Sequence, residues 1–261
     1  MIIDTTKEIE VKGKVISNGK QPLICTPLVG KTKEVILSEL EKVIIKKPDL
    51  IEWRVDFFEA ISDAEAVIDV ANRIKEMAGE IPLLFTRRSD KEGGEPISIS
   101  EDEVVALYLA VCESKSVDFI DYELINQKKD IARLRDASAE NGIKMIMSYH
   151  NFELTPEVGI LNQKFAEAEL QGADVAKVAV MPNNLEDVLT LLSVTLAAKN
   201  KLKIPLITMS MGKYGSLSRM FGGAFGSAVT FAVGEKSSAP GQVPIEDLKV
   251  VLDILQRAME D

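Results

Sequence analysis

The chain has 261 residues, 46% of them hydrophobic, with 41 acidic against 31 basic side chains and a formal net charge of −10. Length and apolar content suffice for one large core. The acidic balance argues against nucleic acid and anionic membranes as partners, and leaves small anionic substrates open, because a local arginine cluster can hold a carboxylate on an acidic protein. Two cysteines, Cys25 and Cys112, stand outside any metal spacing and read as buried free thiols. His150 is the single histidine, which argues against a zinc site. The N-terminal stretch lacks a signal-peptide core, and no apolar run reaches membrane-span length, so the sequence reads as a cytoplasmic protein.

Along the chain, residues 1–20 come first. "EIEVKGKVIS" alternates around Lys12-Gly13 and predicts a short β-hairpin closing the N-terminal end of whatever follows. Eight β-rich runs then appear at 22–27, 50–57, 82–88, 118–124, 144–150, 174–180, 205–211 and 227–233. Amphipathic helical runs separate them. Ser62–Glu65 and Ser100–Glu103 have capping-box spacing, and Thr155-Pro156 places a capping residue before a proline suited to a first helical turn. Eight such units, about 22–36 residues apart, predict a single (β/α)8 TIM barrel over the chain. An open doubly wound sheet fits less well, because no Gly-rich phosphate turn follows the first strand.

Alternation then assigns faces. In the second strand Ile51, Trp53 and Val55 share one face and Glu52, Arg54 and Asp56 the other; in the fourth, Ile120, Tyr122 and Leu124 oppose Asp121 and Glu123. The apolar faces meet helices, so the charged ones point into the barrel. Val175, Lys177 and Ala179 share a face, while Arg88 and His150 end their strands. Ionisable groups thus converge on the C-terminal mouth, where barrel active sites lie.

Lys177 sits in "VAKVAVMP", otherwise a buried strand. Burial and nearby Arg54 and Arg88 would favour a neutral amine, which attacks carbonyls to give a Schiff base. His150 on the adjacent strand is suited to moving the proton that the imine acidifies. The bland alternative is that Lys177 pairs with Glu52, Asp121 or Glu123 and takes no part in chemistry. Arg88 opens the loop "RSDKEGG", and Arg219 lies in the small-residue segment "GSLSRMFGGAFGS"; arginine favours bidentate carboxylate binding. "GEKSSAPGQVP" (234–244) reads either as a substrate-covering loop, with Ser238 and Gln242 as ligand groups, or as an ordinary flexible loop.

The segments "EWRVDFF", "FTRRSDKEGG", "DYEL", "SYHNFELTP", "VAKVAVMP", "MSMGKYGSLSR", "FGSAVTF" and "SSAPGQ" occur in one order at strand ends, and together the chain resembles type I 3-dehydroquinate dehydratase over nearly its whole length. The resemblance implies a (β/α)8 barrel, usually homodimeric, with an N-terminal hairpin. It implies cofactor-free and metal-free dehydration of 3-dehydroquinate to 3-dehydroshikimate in the shikimate pathway of aromatic amino-acid biosynthesis. Lys177 matches the Schiff-base lysine, His150 the proton-transfer histidine and Glu92 the carboxylate orienting it. Glu52, Arg54 and Arg88 match groups holding ring hydroxyls; Arg219, Ser238 and Gln242 match carboxylate-binding and lid residues; Glu123, Met209 and Met211 match pocket-lining positions. Arg87, beside Arg88, should face the other way. Two other classes compete. A class I aldolase would need a phosphate site near strands seven and eight, and a non-enzymatic binder would use Lys177 only as a charge.

Overall fold

The computed structural model describes residues 8–18 and 21–259. A two-stranded antiparallel hairpin comes first, β1 (Ile9–Val11) and β2 (Lys14–Ile16). Its turn residues Lys12 and Gly13 both have positive φ, 48° and 73°, the geometry whose twist suits a two-residue hairpin. Ile9 and Ile16 pack against Cys25, Leu50, Leu84, Phe119, Ile146 and Val175 in the lowest layer of the barrel interior. Lys14 pairs with Asp49 (2.7 Å) and Lys12 with Asp118 (3.1 Å), the residues preceding two barrel strands. The hairpin therefore closes the N-terminal end, as the alternation predicts. Residues 1–7, 19 and 20 of that predicted segment lie outside the described residues.

The barrel strands and helices follow in strict alternation: β3 (Leu23–Leu28), α1 (Lys33–Ile45), β4 (Leu50–Arg54), α2 (Ala64–Ala78), β5 (Leu83–Thr86), α3 (Glu101–Ser114), β6 (Phe119–Glu123), α4 (Lys128–Glu140), β7 (Lys144–Asn151), α5 (Val158–Leu170), β8 (Val175–Val180), α6 (Leu185–Lys199), β9 (Leu206–Ser210), α7 (Gly212–Phe225), β10 (Val229–Phe231) and α8 (Ile245–Met259). The strands pair in parallel in the order β10-β3-β4-β5-β6-β7-β8-β9. Ala228 N–H donates to Leu206 O (2.7 Å) and brings the two edges together. This is the TIM barrel that the eight predicted units require.

Three local expectations are corrected. β4 stops at Arg54 and continues as a 3-10 turn over Val55–Phe57, because Arg54 folds back to grip Asp56 two residues on. The cap of α2 is Asp63, not Ser62; its Oδ1 accepts from Glu65 N (3.0 Å) and Ala66 N (3.1 Å), and a carboxylate also suits the positive end of the helix. α5 begins after Glu157 and not after Thr155, whose hydroxyl instead donates to Met181 O (3.1 Å). The predicted capping box at Ser100 and Glu103 is present, with both reciprocal bonds made.

Between strands and helices, Trp53, Phe85, Tyr108 and Tyr122 form an edge-to-face ladder with centroids 5.1–5.7 Å apart. Tyr108 Oη accepts from Arg87 N (2.8 Å) and donates to Asp121 O (2.7 Å). That bridge ties the end of β5 to β6 and sets the relative height of Arg88 and Asp121. Cys25 and Cys112 are buried free thiols. Among the described residues no helix is long and apolar enough to cross a membrane.

Candidate active site

A cavity opens at the C-terminal mouth of the barrel, lined by Glu52, Arg54, His150 and Lys177 from the strands, by Arg88 and Glu92 from the segment after β5, and by Ser238 and Gln242 from the 234–244 loop. A larger groove lies at the opposite end, but its ionisable lining groups are Lys14, Asp49 and Lys199, the first two paired with each other. Chemistry concentrates at the mouth.

Lys177 lies in β8 opposite Ser148 of β7 and Ile207 of β9, so its side chain enters the interior. Nζ donates to Asp121 Oδ2 at 2.9 Å, lies 3.7 Å from Glu52 Oε1, and sits 4.7 Å from the Phe231 ring centroid. The expected action of two arginines on this amine is not what the fold builds, because both guanidiniums are held by carboxylates. Arg88 NH2 meets Asp121 Oδ1 (2.8 Å), while its NH1 donates to Glu123 Oε1 (3.0 Å) and Ser148 Oγ (2.8 Å). Arg54 Nε and NH2 donate to the two oxygens of Asp56 (2.9 and 2.7 Å), leaving NH1 to reach Ser238 O (3.3 Å). Burial works against both cations, and the neighbouring carboxylates hold both above the ordinary arginine value.

His150 near the end of β7 is fixed by Glu92. Nδ1 lies 2.8 Å from Glu92 Oε2, which also accepts the His150 backbone N–H (3.0 Å). Nε2 is the ring nitrogen left for the cavity. Burial, then Arg88 and Lys177, hold the imidazole well below its ordinary pKa. Burial raises Glu92 to about 8, opposed by Arg88 and reinforced by Glu123 and Asp121. Both shifts favour the uncharged form, so the contact joins an imidazole and a carboxyl that burial disfavours as ions.

The "KEGG" segment explains how Glu92 reaches this position. Glu92 closes a 3-10 turn, Asp90–Glu92, that ends on Gly93 with φ 82°. A Cβ at Gly94 would lie 2.0 Å from Arg88 O, so only glycine lets the chain double back there.

Of the remaining predicted groups, Ser238, Gln242, Met209 and Met211 line the cavity, while Glu123 holds Arg88 and the Ser89 N–H from behind. Arg87 faces the helix layer and pairs with Glu101. Arg219 of α7 is not on the cavity wall. Its guanidinium lies behind Met209, with NH1 3.5 Å from the Met209 sulfur and NH2 donating to Pro240 O (3.1 Å). It is 1% exposed, its Nε has no hydrogen-bond partner, and among the described residues no carboxylate lies within ion-pair distance. Sequence reasoning passed over Asp56 as the clamp on Arg54 and Ser148 as a bridge between Arg88 and Asp121. The alternation carried a signal for Ser148, which shares the inward face of His150. Among the described residues no group of three or more His, Cys, Asp or Glu side chains is arranged to hold a metal ion.

An amine ion-paired at the base of a cavity, an anchored imidazole beside it and a buried guanidinium lacking an anion make a site able to attack a carbonyl and move a proton on a small acid. The sequence model of the family described as "Type I 3-dehydroquinase" matches residues 24–259. The chain belongs to the type I 3-dehydroquinase family. It is 59% identical over 259 residues to 3-dehydroquinate dehydratase of Albidiferax ferrireducens, covering 99% of this chain and 98% of that one. The crystal structure of the Geobacillus kaustophilus 3-dehydroquinate dehydratase matches with TM-score 0.95 at 49% identity, covering 98% of this chain and 99% of that one. The type I enzyme of Clostridium difficile, solved with covalently modified comenic acid, matches with TM-score 0.92 at 37% identity over 97% and 99% of the two chains. This dehydroquinase chain is accordingly an enzyme.

Proposed function

We propose that the chain dehydrates 3-dehydroquinate to 3-dehydroshikimate through an imine on Lys177. The amine adds to the C3 carbonyl, the carbonyl oxygen leaves as water, and a protonated C=N bond forms. His150 removes the C2 proton, and the C–H electron pair moves into the C2–C3 bond as the iminium becomes a neutral enamine. That electron pair then expels the C1 hydroxyl, which takes the same proton from His150 and leaves as water. Hydrolysis of the renewed iminium frees the lysine. The elimination is syn, since one imidazole serves both atoms.

Glu92 holds His150 Nδ1 and so keeps Nε2 toward C2 and the leaving hydroxyl. Glu52, Arg54 and Arg88 hold ring hydroxyls, and Arg219 takes the substrate carboxylate once Pro240 O yields its place, with Ser238 and Gln242 covering the ligand. The observation that carries the reading is the meeting, on one cavity, of a buried lysine amine and an imidazole anchored by a carboxylate. Buried Arg219 without an anion supports an acidic substrate.

The reading places the enzyme in the shikimate pathway and the cytoplasm, working without metal or cofactor as a homodimer. An unpartnered apolar face supports self-association. Leu185, Leu189 and Leu196 on α6 and Leu217 and Phe221 on α7 are 37–61% exposed, as is Val158 at the start of α5. A helix apolar on its outer side as well as its inner calls for cover, and a second copy burying about 800 Å² per partner supplies it.

Borohydride reduction in the presence of 3-dehydroquinate tests the chemistry. A stable adduct located on Lys177 by peptide mass spectrometry, formed as activity is lost, is expected. Absence of the adduct in folded, substrate-treated protein refutes the imine.

A further inference from the structure

The acids around Lys177 outnumber its neighbouring bases in a way the imine alone does not require. Asp121 is fully buried and makes three close contacts: Lys177 Nζ on Oδ2 (2.9 Å), and Arg88 NH2 (2.8 Å) and Ser148 Oγ (2.5 Å) on Oδ1. Its two oxygens are thus divided, one facing the amine and one fixed to the scaffold. Arg88 has a second carboxylate in Glu123 (3.0 Å). Glu52 Oε1 lies 3.7 Å from Nζ and accepts from Thr86 Oγ1 (3.0 Å). His150 and Glu92 form their own pair. Lys177 Nζ thus faces two carboxylates, Glu52 and an Asp121 whose other oxygen is shared with Arg88.

We propose that Asp121, with Glu52 beside it, is the fixed counter-ion of the lysine-derived iminium, stabilising the charged stages of the reaction and not preparing the free amine. The proposal rests on the imine reading above. Along that path the nitrogen bears a positive charge in the first iminium, none in the enamine and a positive charge again once the hydroxyl has left. A carboxylate 2.9 Å from Nζ favours both charged stages and keeps the C=N bond protonated, which makes it an electron sink. The same contact slows the first attack, because Nζ must leave Asp121 Oδ2 before it can reach a carbonyl carbon. The Phe231 ring face at 4.7 Å adds to the preference for a cation. Burial pushes the Asp121 carboxyl up, but Arg88 and then Lys177 hold it well below the ordinary carboxylate range.

The test separates attack from turnover. Asp121→Asn keeps the shape and leaves an oxygen for Arg88 and Ser148. Methyl acetimidate reads the free amine without substrate: the lysine nitrogen bonds to the imidate carbon and methanol leaves. In the variant, amidination of Lys177 at neutral pH should quicken about tenfold, with the other lysines as internal controls. kcat should fall by about 100-fold, and KM should change much less. Every other pairing overturns the proposal: both rates falling marks a structural role, turnover falling with labelling unchanged marks an effect through Arg88, and turnover within about threefold of the parent removes Asp121 from the chemistry. Glu52→Gln gives a second reading should Asp121→Asn fail to fold. Its Lys177 labelling should rise by a smaller factor, and no rise counts against the counter-ion role. Borohydride trapping of the unmodified enzyme distinguishes the two levels. No adduct there sinks the imine itself, whereas an adduct with unchanged labelling in the variants sinks only the role of Asp121.

Discussion

Arg219→Met should make the free protein more stable and the enzyme worse. Burial lowers the Arg219 guanidinium to about 10 from an ordinary 12.5, which corresponds to about 3 kcal/mol against the charged form. Methionine of similar length removes that penalty. Against it stands the lost bond to Pro240 O (3.1 Å), worth about 1.5–3 kcal/mol for a charged donor. Pro240 O is not orphaned, because Gly212 N also donates to it (3.2 Å). The balance is a gain of about 1 kcal/mol, or a rise in Tm of about 2–4 °C for a chain of this size. Catalysis should move the other way. A carboxylate held by the guanidinium fork loses about 3 kcal/mol, so KM should rise roughly 100-fold with a smaller change in kcat. Calorimetry and steady-state kinetics on the same preparation decide both. A Tm below that of the parent, or a KM within about threefold of it, would refute the view that this arginine waits for the substrate's anion.

Two further outcomes follow from the same site and surface. Glu92 is held at about 8, so between the ordinary carboxylate value near ~4.3 and 8 the folded chain keeps a proton that the unfolded chain has lost, and stability falls as pH rises through that window. Glu92→Gln does not titrate there. Its Tm relative to the parent should therefore climb from pH 5 to 8 and level off above, and a gap that narrows with rising pH contradicts the raised value; His150, lowered by burial, loses stability only as pH falls below about 6.5 and is common to both proteins. Leu189→Glu puts a charge on the most exposed leucine of α6 (61%) and should convert a dimer to monomers in analytical ultracentrifugation with the circular dichroism unchanged, whereas a dimer that persists moves the interface elsewhere.

The sequence by itself determined the repeat and the faces. Eight β-rich runs with helical runs between them leave the barrel as the closed solution, and period-two alternation places Trp53 against helices and Glu52 inside because one face must be apolar. Lys12-Gly13 and the capping box at Ser100 are local, so their few residues suffice. Expectations failed where a side chain found a distant or competing partner. Asp63 outcompeted Ser62 as a cap, Thr155 turned to Met181, and Arg54 bent the strand by folding onto Asp56. At Lys177 the sequence left two alternatives open, an amine beside arginines or one paired with Glu52, Asp121 or Glu123, and the fold pairs it with Asp121 and Glu52. Linear order shows that acids and arginines share the interior but not which pairs form. Only the barrel's closure, with Ser148 opposite Lys177 and Tyr108 fixing β5 against β6, gives Arg88 to Asp121 and Glu123 and leaves the lysine facing acids. Pairing between strands is a property of register and distance, and those exist only once the sheet has closed.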